Sequence, residues 1–230
     1  MELLQPILEL DKDVFLFLNG IHNEFWDTMI ILITRQETWI PFFASILFYI
    51  FKNYRSKSIL ILIAIALLIT ATDQFSNVIK DSVQRLRPTH DPAISHLVHI
   101  FFGKGGQFGF VSAHAANSVA ILVLTSRIFK NRSYYFLTLA WVLVFCYSRI
   151  YVGVHYPLDL ICGGLIGWFI GWALYRLMMF VENHFFFARS PKIEKTILSR
   201  KQFGAMALVF FVSVFTVILV VSQLYFHKVL

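Results

Sequence analysis

Long apolar runs separated by short charged breaks recur along the whole chain. Over residues 3–18 the apolar positions 3, 4, 7, 8, 14, 15 and 18 follow a helical period, while Glu2, Glu9, Asp11 and Asp13 fall elsewhere. That pattern predicts an amphipathic helix lying on a membrane and stopped near Gly20. Residues 25–34 form a second short apolar piece, closed by Arg35, Gln36 and Glu37. Six crossings are expected after it, at 39–51, 58 to about 86, 115–126, 133–148, 160–175 and 203–226. Several of these fall short of the ~20 residues a span needs, so charged residues at their ends must reach headgroup depth. The fold expected is all-α: a six-crossing transmembrane helix bundle preceded by an interfacial amphipathic helix. It divides into an interfacial segment (1–37), a transmembrane core (38–180), and a basic cytoplasmic loop with the last span (181–230).

Composition sharpens this picture. Of 230 residues 58% are hydrophobic and only 14% charged, against about a quarter charged in soluble domains, which excludes a soluble globular fold. The net charge of +7 does not point to nucleic acid, because the basic residues flank apolar runs and form no single soluble face. Segments 51–58, 127–132 and 176–204 hold twelve Lys and Arg against two acids, whereas residues 1–37 hold seven acids and two basic residues. The positive-inside rule then puts the former in the cytoplasm, and the N-terminal segment and the 80–113 and 149–157 loops outside. The acidic N-terminus lacks a basic n-region, so no cleavable signal peptide is expected. Cys146 and Cys162 lie inside apolar runs and suggest no metal site. Gly163, Gly167 and Gly171 recur every four residues, a small-residue stripe suited to close helix packing.

Three outward-facing stretches carry candidate chemistry. In SRIYVGVHYPLD, Pro157 is suited to open a helix, and His155 and Asp159 stand four residues apart. A carboxylate that holds one imidazole nitrogen leaves the other free as nucleophile or base, and Arg149 offers a planar fork of donors for phosphate. An interfacial Arg–Asp pair with a snorkelling histidine is the alternative for this stretch alone. In KDSVQRLRP, Lys80 and Arg87 are seven residues apart, so a helix running to Pro88 would put both on one face about 10 Å apart. Arg85 and Asp81 are expected to point elsewhere into solvent. In GFVSAHAANS, a helix starting near Ser112 would aim free N–H groups and a hydroxyl outward as an anion site, with His114 in its first turn.

Between these stretches, residues 88–111 carry His90, His96, His99 and four glycines. GKGG has the wrong spacing for a phosphate-binding P-loop, and the segment reads as a mobile rim with Lys104 as a headgroup contact. His96 and His99 lack companion ligands and are expected to face solvent.

Taken together, Lys80-x6-Arg87-Pro88, Ser112-Ala113-His114 and Ser148-Arg149-x5-His155 with Asp159 four beyond resemble the three-part signature of the type 2 phosphatidic acid phosphatase superfamily, which includes the vanadium haloperoxidases. The resemblance spans roughly residues 38–180, and differs from the common Pro-Ser-Gly-His in having Val111-Ser112-Ala113-His114. It implies that His155 attacks phosphorus and forms a phosphohistidine, that Asp159 fixes its tautomer, and that His114 protonates the leaving oxygen. Lys80, Arg87, Ser112, the Ala113 N–H and Arg149 would hold the phosphate oxygens. No metal or other cofactor is implied.

The implied partners are a lipid phosphate and the bilayer, with no nucleic acid. The lipid expected first is undecaprenyl diphosphate, at the outer (periplasmic) side of a bacterial inner membrane. Phosphatidylglycerophosphate, phosphatidic acid and lipid A are the alternatives. An anion transporter or channel is the competing reading of another class; it predicts polar residues at the bilayer midplane, whereas these cluster at span ends.

Overall fold

The computed structural model describes residues 4–185 and 191–227. The first three residues of the amphipathic segment, residues 186–190 of the basic loop and the last three residues lie outside the described residues. The described residues form eight α-helices: α1 (Gln5–Asn19), α2 (Glu24–Thr34), α3 (Ile40–Tyr54), α4 (Ser58–Val83), α5 (Ala113–Phe129), α6 (Arg132–Tyr151), α7 (Pro157–Phe185) and α8 (Arg200–Phe226). Among them there is no strand, only an isolated antiparallel bridge between Leu86 and Phe108.

Local chemistry sets the helix boundaries. Asn131 caps α6 by accepting from the Tyr134 N–H at 3.0 Å, and Ser199 with Gln202 forms a capping box at the start of α8. Pro157 opens α7, where a missing N–H costs nothing. Among the described residues four stretches are long and apolar enough to cross a membrane: Gln36–Val83, Arg132–Tyr151, Pro157–Phe185 and Arg200–Phe226; Ala113–Phe129 is a shorter apolar helix. The first stretch is two rods, because Arg55 breaks the helix with φ 49° and ψ −122°.

From α3 onward the rods run between two ends. At one end Tyr54 Oη donates to the Ile128 carbonyl at 2.8 Å, and the Leu198 N–H donates to Phe129 at 2.9 Å. There Lys57 also meets Glu182 at 2.5 Å, both buried, and Glu182 accepts from the Ile193 N–H. The opposite end collects the C-terminus of α4, the N-termini of α5 and α7, and the C-terminus of α6. Phe42, Ile50, Ile61, Leu68, Leu124 and Phe129 fill the interior, while Phe48, Leu165 and Phe211 stay exposed on the outside. Large apolar side chains facing outward on long apolar helices suit a hydrocarbon solvent.

The glycine stripe fixes the site's frame. A Cβ on Gly163 would stand 2.4 Å from the Ser112 carbonyl oxygen, on Gly167 2.1 Å from that of Ala116, and on Gly171 2.7 Å from that of Ala120. Matching steps of four on both helices mean that α5 and α7 run parallel in backbone contact. The seam continues past the helices, where the Ser112 N–H donates to the Asp159 carbonyl at 3.0 Å.

Three expectations need correction. Helix α4 stops at Val83, where Gln84 turns left-handed (φ 53°), so Arg87 does not share a helical face with Lys80. Helix α1 buries Asp11, Phe15 and Asn19 on one face and exposes Leu4, Ile7, Leu10 and Phe17 on the other. Asp11 is thus not on a solvated face; it points into the protein. His99 does not stand free in solvent: Nε2 lies 2.9 Å from Asp27 Oδ1 and its ring stacks on His22.

Candidate active site

The segment after α6 turns sharply. Val152, Gly153 and Val154 donate back to Ser148, Ile150 and Arg149, with Gly153 at φ 77°, and a Cβ there would lie 2.7 Å from Val98. This turn brings His155 into the interior at 2% exposure, one residue before the N-cap of α7. Asp159, fully buried in the first turn, accepts on Oδ2 from the Tyr156 N–H at 3.0 Å and lies 3.4 Å from His155 Nδ1. An acid at the third helical position reaching back to the cap residue is half of a capping box, and here it also holds an imidazole. With Nδ1 engaged, Nε2 is the nitrogen left for substrate. Burial pushes the His155 imidazole below its ordinary value against the opposing pull of Asp159, and so favours the neutral ring.

Arg149, at the end of α6, is 7% exposed and donates from Nε to Ser148 Oγ and from Nη2 to the Thr34 carbonyl, each at 3.4 Å. Its guanidinium lies 5.0 Å from the Phe145 ring centroid, and the same ring is 5.9 Å from that of His114. Ser112 is the N-cap of α5: its Oγ accepts from the Ala115 N–H at 3.4 Å. The Ala113 and His114 N–H groups lie in the first turn, which has no intrahelical partner to offer them. His114 itself remains exposed.

Lys80 and Arg87 come together by a chain reversal. After α4 ends, Arg87 N–H donates to Gln107 at 3.0 Å and Gly109 N–H donates to Arg85 at 2.9 Å, which folds the 88–111 rim back on itself. Arg87 Nε then donates to the Phe108 carbonyl at 3.1 Å. A Cβ on Gly109 would touch both Asp159 and Arg87, so the rim needs glycine to close over the pair. Burial pulls the Arg87 guanidinium down from its ordinary value while Asp159 opposes this. The charges of Arg149, Lys80 and Arg87 all act on the His114 imidazole, and His155 is close enough to couple to it. The sequence-expected set is thereby brought to one end of the bundle, from α4, the rim, α5, α6 and the α6–α7 turn.

Arg85 and Asp11 were missed. Arg85 Nη1 donates to Asp159 Oδ1 at 2.9 Å and Nη2 to Asp11 Oδ2 at 2.6 Å, with its guanidinium 4.1 Å from the Tyr156 ring centroid. Asp11 Oδ1 also accepts from the Leu158 N–H at 2.9 Å. The available signal was the helical spacing of Asp11, Phe15 and Asn19, a mixed polar and aromatic stripe unsuited to lipid. Among the described residues no group of three or more His, Cys, Asp or Glu is placed to hold a metal ion.

Known proteins resemble this chain in sequence and in fold. The PAP2 superfamily matches residues 58–183. The chain is 39% identical over 177 residues to a lipid A 4′-phosphatase of Bacteroides thetaiotaomicron, covering 75% of this chain and 79% of the relative. It is 32% identical over 136 residues to an undecaprenyl-diphosphatase of Sulfolobus acidocaldarius, covering 58% of this chain and 60% of that one. Among solved structures, a transmembrane PAP2-type phosphatidylglycerolphosphate phosphatase from Bacillus subtilis superposes with a TM-score of 0.61 at 17% identity, over 78% of this chain and 89% of that one. That last likeness is one of fold.

Proposed function

The chain belongs to the PAP2 superfamily as a membrane lipid phosphatase, and from that premise we propose that it removes phosphate from a lipid A-type glycolipid through a phosphohistidine on His155. The observation that carries this reading is the buried His155–Asp159 pair, facing a basic end where Lys80, Arg87 and Arg149 act on His114.

In the first step His155 Nε2 forms a bond to phosphorus as the bond from phosphorus to the lipid oxygen breaks, and His114 gives that oxygen its proton. In the second, His114 takes a proton from water, whose oxygen displaces the histidine, and inorganic phosphate leaves. Lys80, Arg87, Arg149, the Ser112 hydroxyl and the Ala113 N–H hold the phosphoryl oxygens, where charge stabilisation supplies the largest share of the rate. Three fixed cations against Asp159 balance a doubly charged phosphate, so the chemistry proceeds without a metal.

With α3 to α8 read as six crossings, the site lies at the outer face of a bacterial inner membrane on this proposal; the support is the excess of Lys and Arg at the opposite end. The exposed apolar stripe of α1 fits a helix lying in the interface. A groove of about 900 Å³ between α5, α6 and α7 reaches from Leu160 and Cys146, one step from Asp159 and near Arg149, down to Leu143 and Tyr135, and gives an acyl chain a path into the bilayer.

The lipid A assignment replaces undecaprenyl diphosphate as the leading substrate because the lipid A 4′-phosphatase match is both longer and stronger. Undecaprenyl diphosphate is the second reading, favoured by the match to the Sulfolobus enzyme. The test is phosphate release by the purified protein from lipid A, undecaprenyl diphosphate, phosphatidylglycerophosphate and phosphatidic acid. Fastest release from lipid A is expected. Release confined to the other lipids would overturn the substrate, and anion transport with no release would overturn the enzyme reading.

A further inference from the structure

We propose that Arg85 and Asp11 are positioning residues for the reaction: α1 reaches over the site and, through Asp11 and Arg85, holds the carboxylate of Asp159 against His155. The inference rests on the reading of His155 and Asp159 given above. Asp159 Oδ2 is taken by His155 and by the Tyr156 N–H, so its other oxygen needs a donor of its own; Arg85 Nη1 supplies it at 2.9 Å. The second fork of the same guanidinium ends on Asp11 at 2.6 Å, and Asp11's remaining oxygen takes the Leu158 N–H at 2.9 Å. Asp11 therefore grips the first turn of α7 at two points, one of them through Arg85. The lattice of contacts extends outward: Tyr156 Oη donates to Asp91, Asp91 pairs with Lys12 of α1 at 3.2 Å, and Phe15 packs edge-on against Tyr156.

Charge gives the arrangement a consequence beyond orientation. Arg85 alone beside Asp159 would cancel the negative charge that the developing imidazolium or phosphohistidine cation needs. Asp11 restores it, since two carboxylates around one guanidinium leave one net negative charge facing His155. The other charged or titratable groups around that ring are Lys80 on α4, Arg87 in the rim and His114 on α5, with Arg149 on α6 beside His114. Asp159 and Asp11 offset them around Arg85, while Asp73 and Asp81 act on Lys80. A planar fork shared between two acids and stacked on an aromatic ring is a geometry lysine cannot reproduce.

The experiment measures phosphate release against pH for wild type, Asp11→Asn, Arg85→Gln and the double variant. The panel lipid turned over fastest by wild type is the substrate, with thermal unfolding of each protein recorded in the same detergent. Asp11→Asn is expected to lower kcat ~10–100-fold with KM within about twofold, as for other residues that orient a catalytic group. Removing a negative charge disfavours protonated His155, so the acid limb of the profile moves down by about half a pH unit. Arg85→Gln moves the limb the opposite way, and the double variant returns it toward wild type. Wild-type kcat in Asp11→Asn, or lost activity with limbs that do not move in opposite directions, overturns the inference and leaves the phosphatase reading standing. A wild-type protein with no turnover on the panel overturns both.

Discussion

Asp159 Oδ2 lies 3.4 Å from His155 Nδ1 while its Oδ1 takes a guanidinium nitrogen of Arg85 at 2.9 Å, so one fully buried carboxylate joins an imidazole to an arginine. In the proposed mechanism Asp159 selects the tautomer of His155 and balances the charge the ring acquires on attack. Replacing it by Asn keeps the volume but presents an amide that no longer neutralises. Asp159→Asn should lower kcat by about 10³–10⁴, the size seen when a histidine's carboxylate partner is lost. Steady-state phosphate release checks this; activity within a few fold of wild type would exclude Asp159 from the mechanism.

Arg149 is set by Ser148 Oγ, the Thr34 carbonyl and the Phe145 ring, which leaves part of its fork for the phosphoryl oxygens that the proposed mechanism assigns to it. Lysine cannot make these contacts and present a planar pair of donors as well. Arg149→Lys should cost about 10²–10³ in kcat/KM. Kinetics on the preferred lipid give the answer.

The pH dependence follows from His155. Its folded value lies below the ordinary 6.5, with burial the leading cause and Asp159 opposing it. The neutral ring therefore persists to lower pH than a free imidazole would, and the acid limb of kcat/KM should fall below pH 6.5. The same group contributes to stability: an unfolded chain takes up this proton first as pH falls. Its contribution is fully present above the unfolded value and is lost as pH drops through the folded one. Unfolding midpoints measured over the same range should decline in that window.

The α5–α7 seam makes a structural prediction. A Cβ at Gly167 would stand 2.1 Å from the Ala116 carbonyl oxygen, a backbone atom that cannot swing away, whereas one at Gly164 would meet only Val119 Cγ2 at 3.5 Å. Gly167→Ala should destabilise the protein by ~1–3 kcal/mol or more and lower activity, because the seam registers Ser112 against Asp159. Gly164→Ala should be tolerated. Thermal unfolding of both proteins in detergent distinguishes them.

What the sequence disclosed, and what it withheld, follows from the range of the interactions. The seam was legible because glycines every fourth residue describe one helix face, and only close backbone approach makes that face useful. His155 and Asp159 were legible because four residues on a helix start bring two side chains together. Lys80 and Arg87 were identified for an incorrect reason: helical register does not unite them, since Gln84 breaks α4 and a bridge from Leu86 to Phe108 returns the chain. Arg85 was assigned to solvent because its partners, Asp11 and Asp159, are each 74 residues away and no local pattern shows such a contact. Asp11 was read as part of a polar face, when α1 turns Asp11, Phe15 and Asn19 inward and Leu4, Ile7, Leu10 and Phe17 outward.

The claim on which everything else depends is that His155 becomes covalently phosphorylated. Rapid alkaline quenching of enzyme mixed with lipid A labelled in the scissile phosphate, followed by mapping of bound label, tests it directly. Label on His155 in the wild type, approaching one per chain, and none in a folded His155→Ala that also lacks turnover, is the predicted result. Label at another residue, or turnover by His155→Ala near the wild-type rate, would contradict the account.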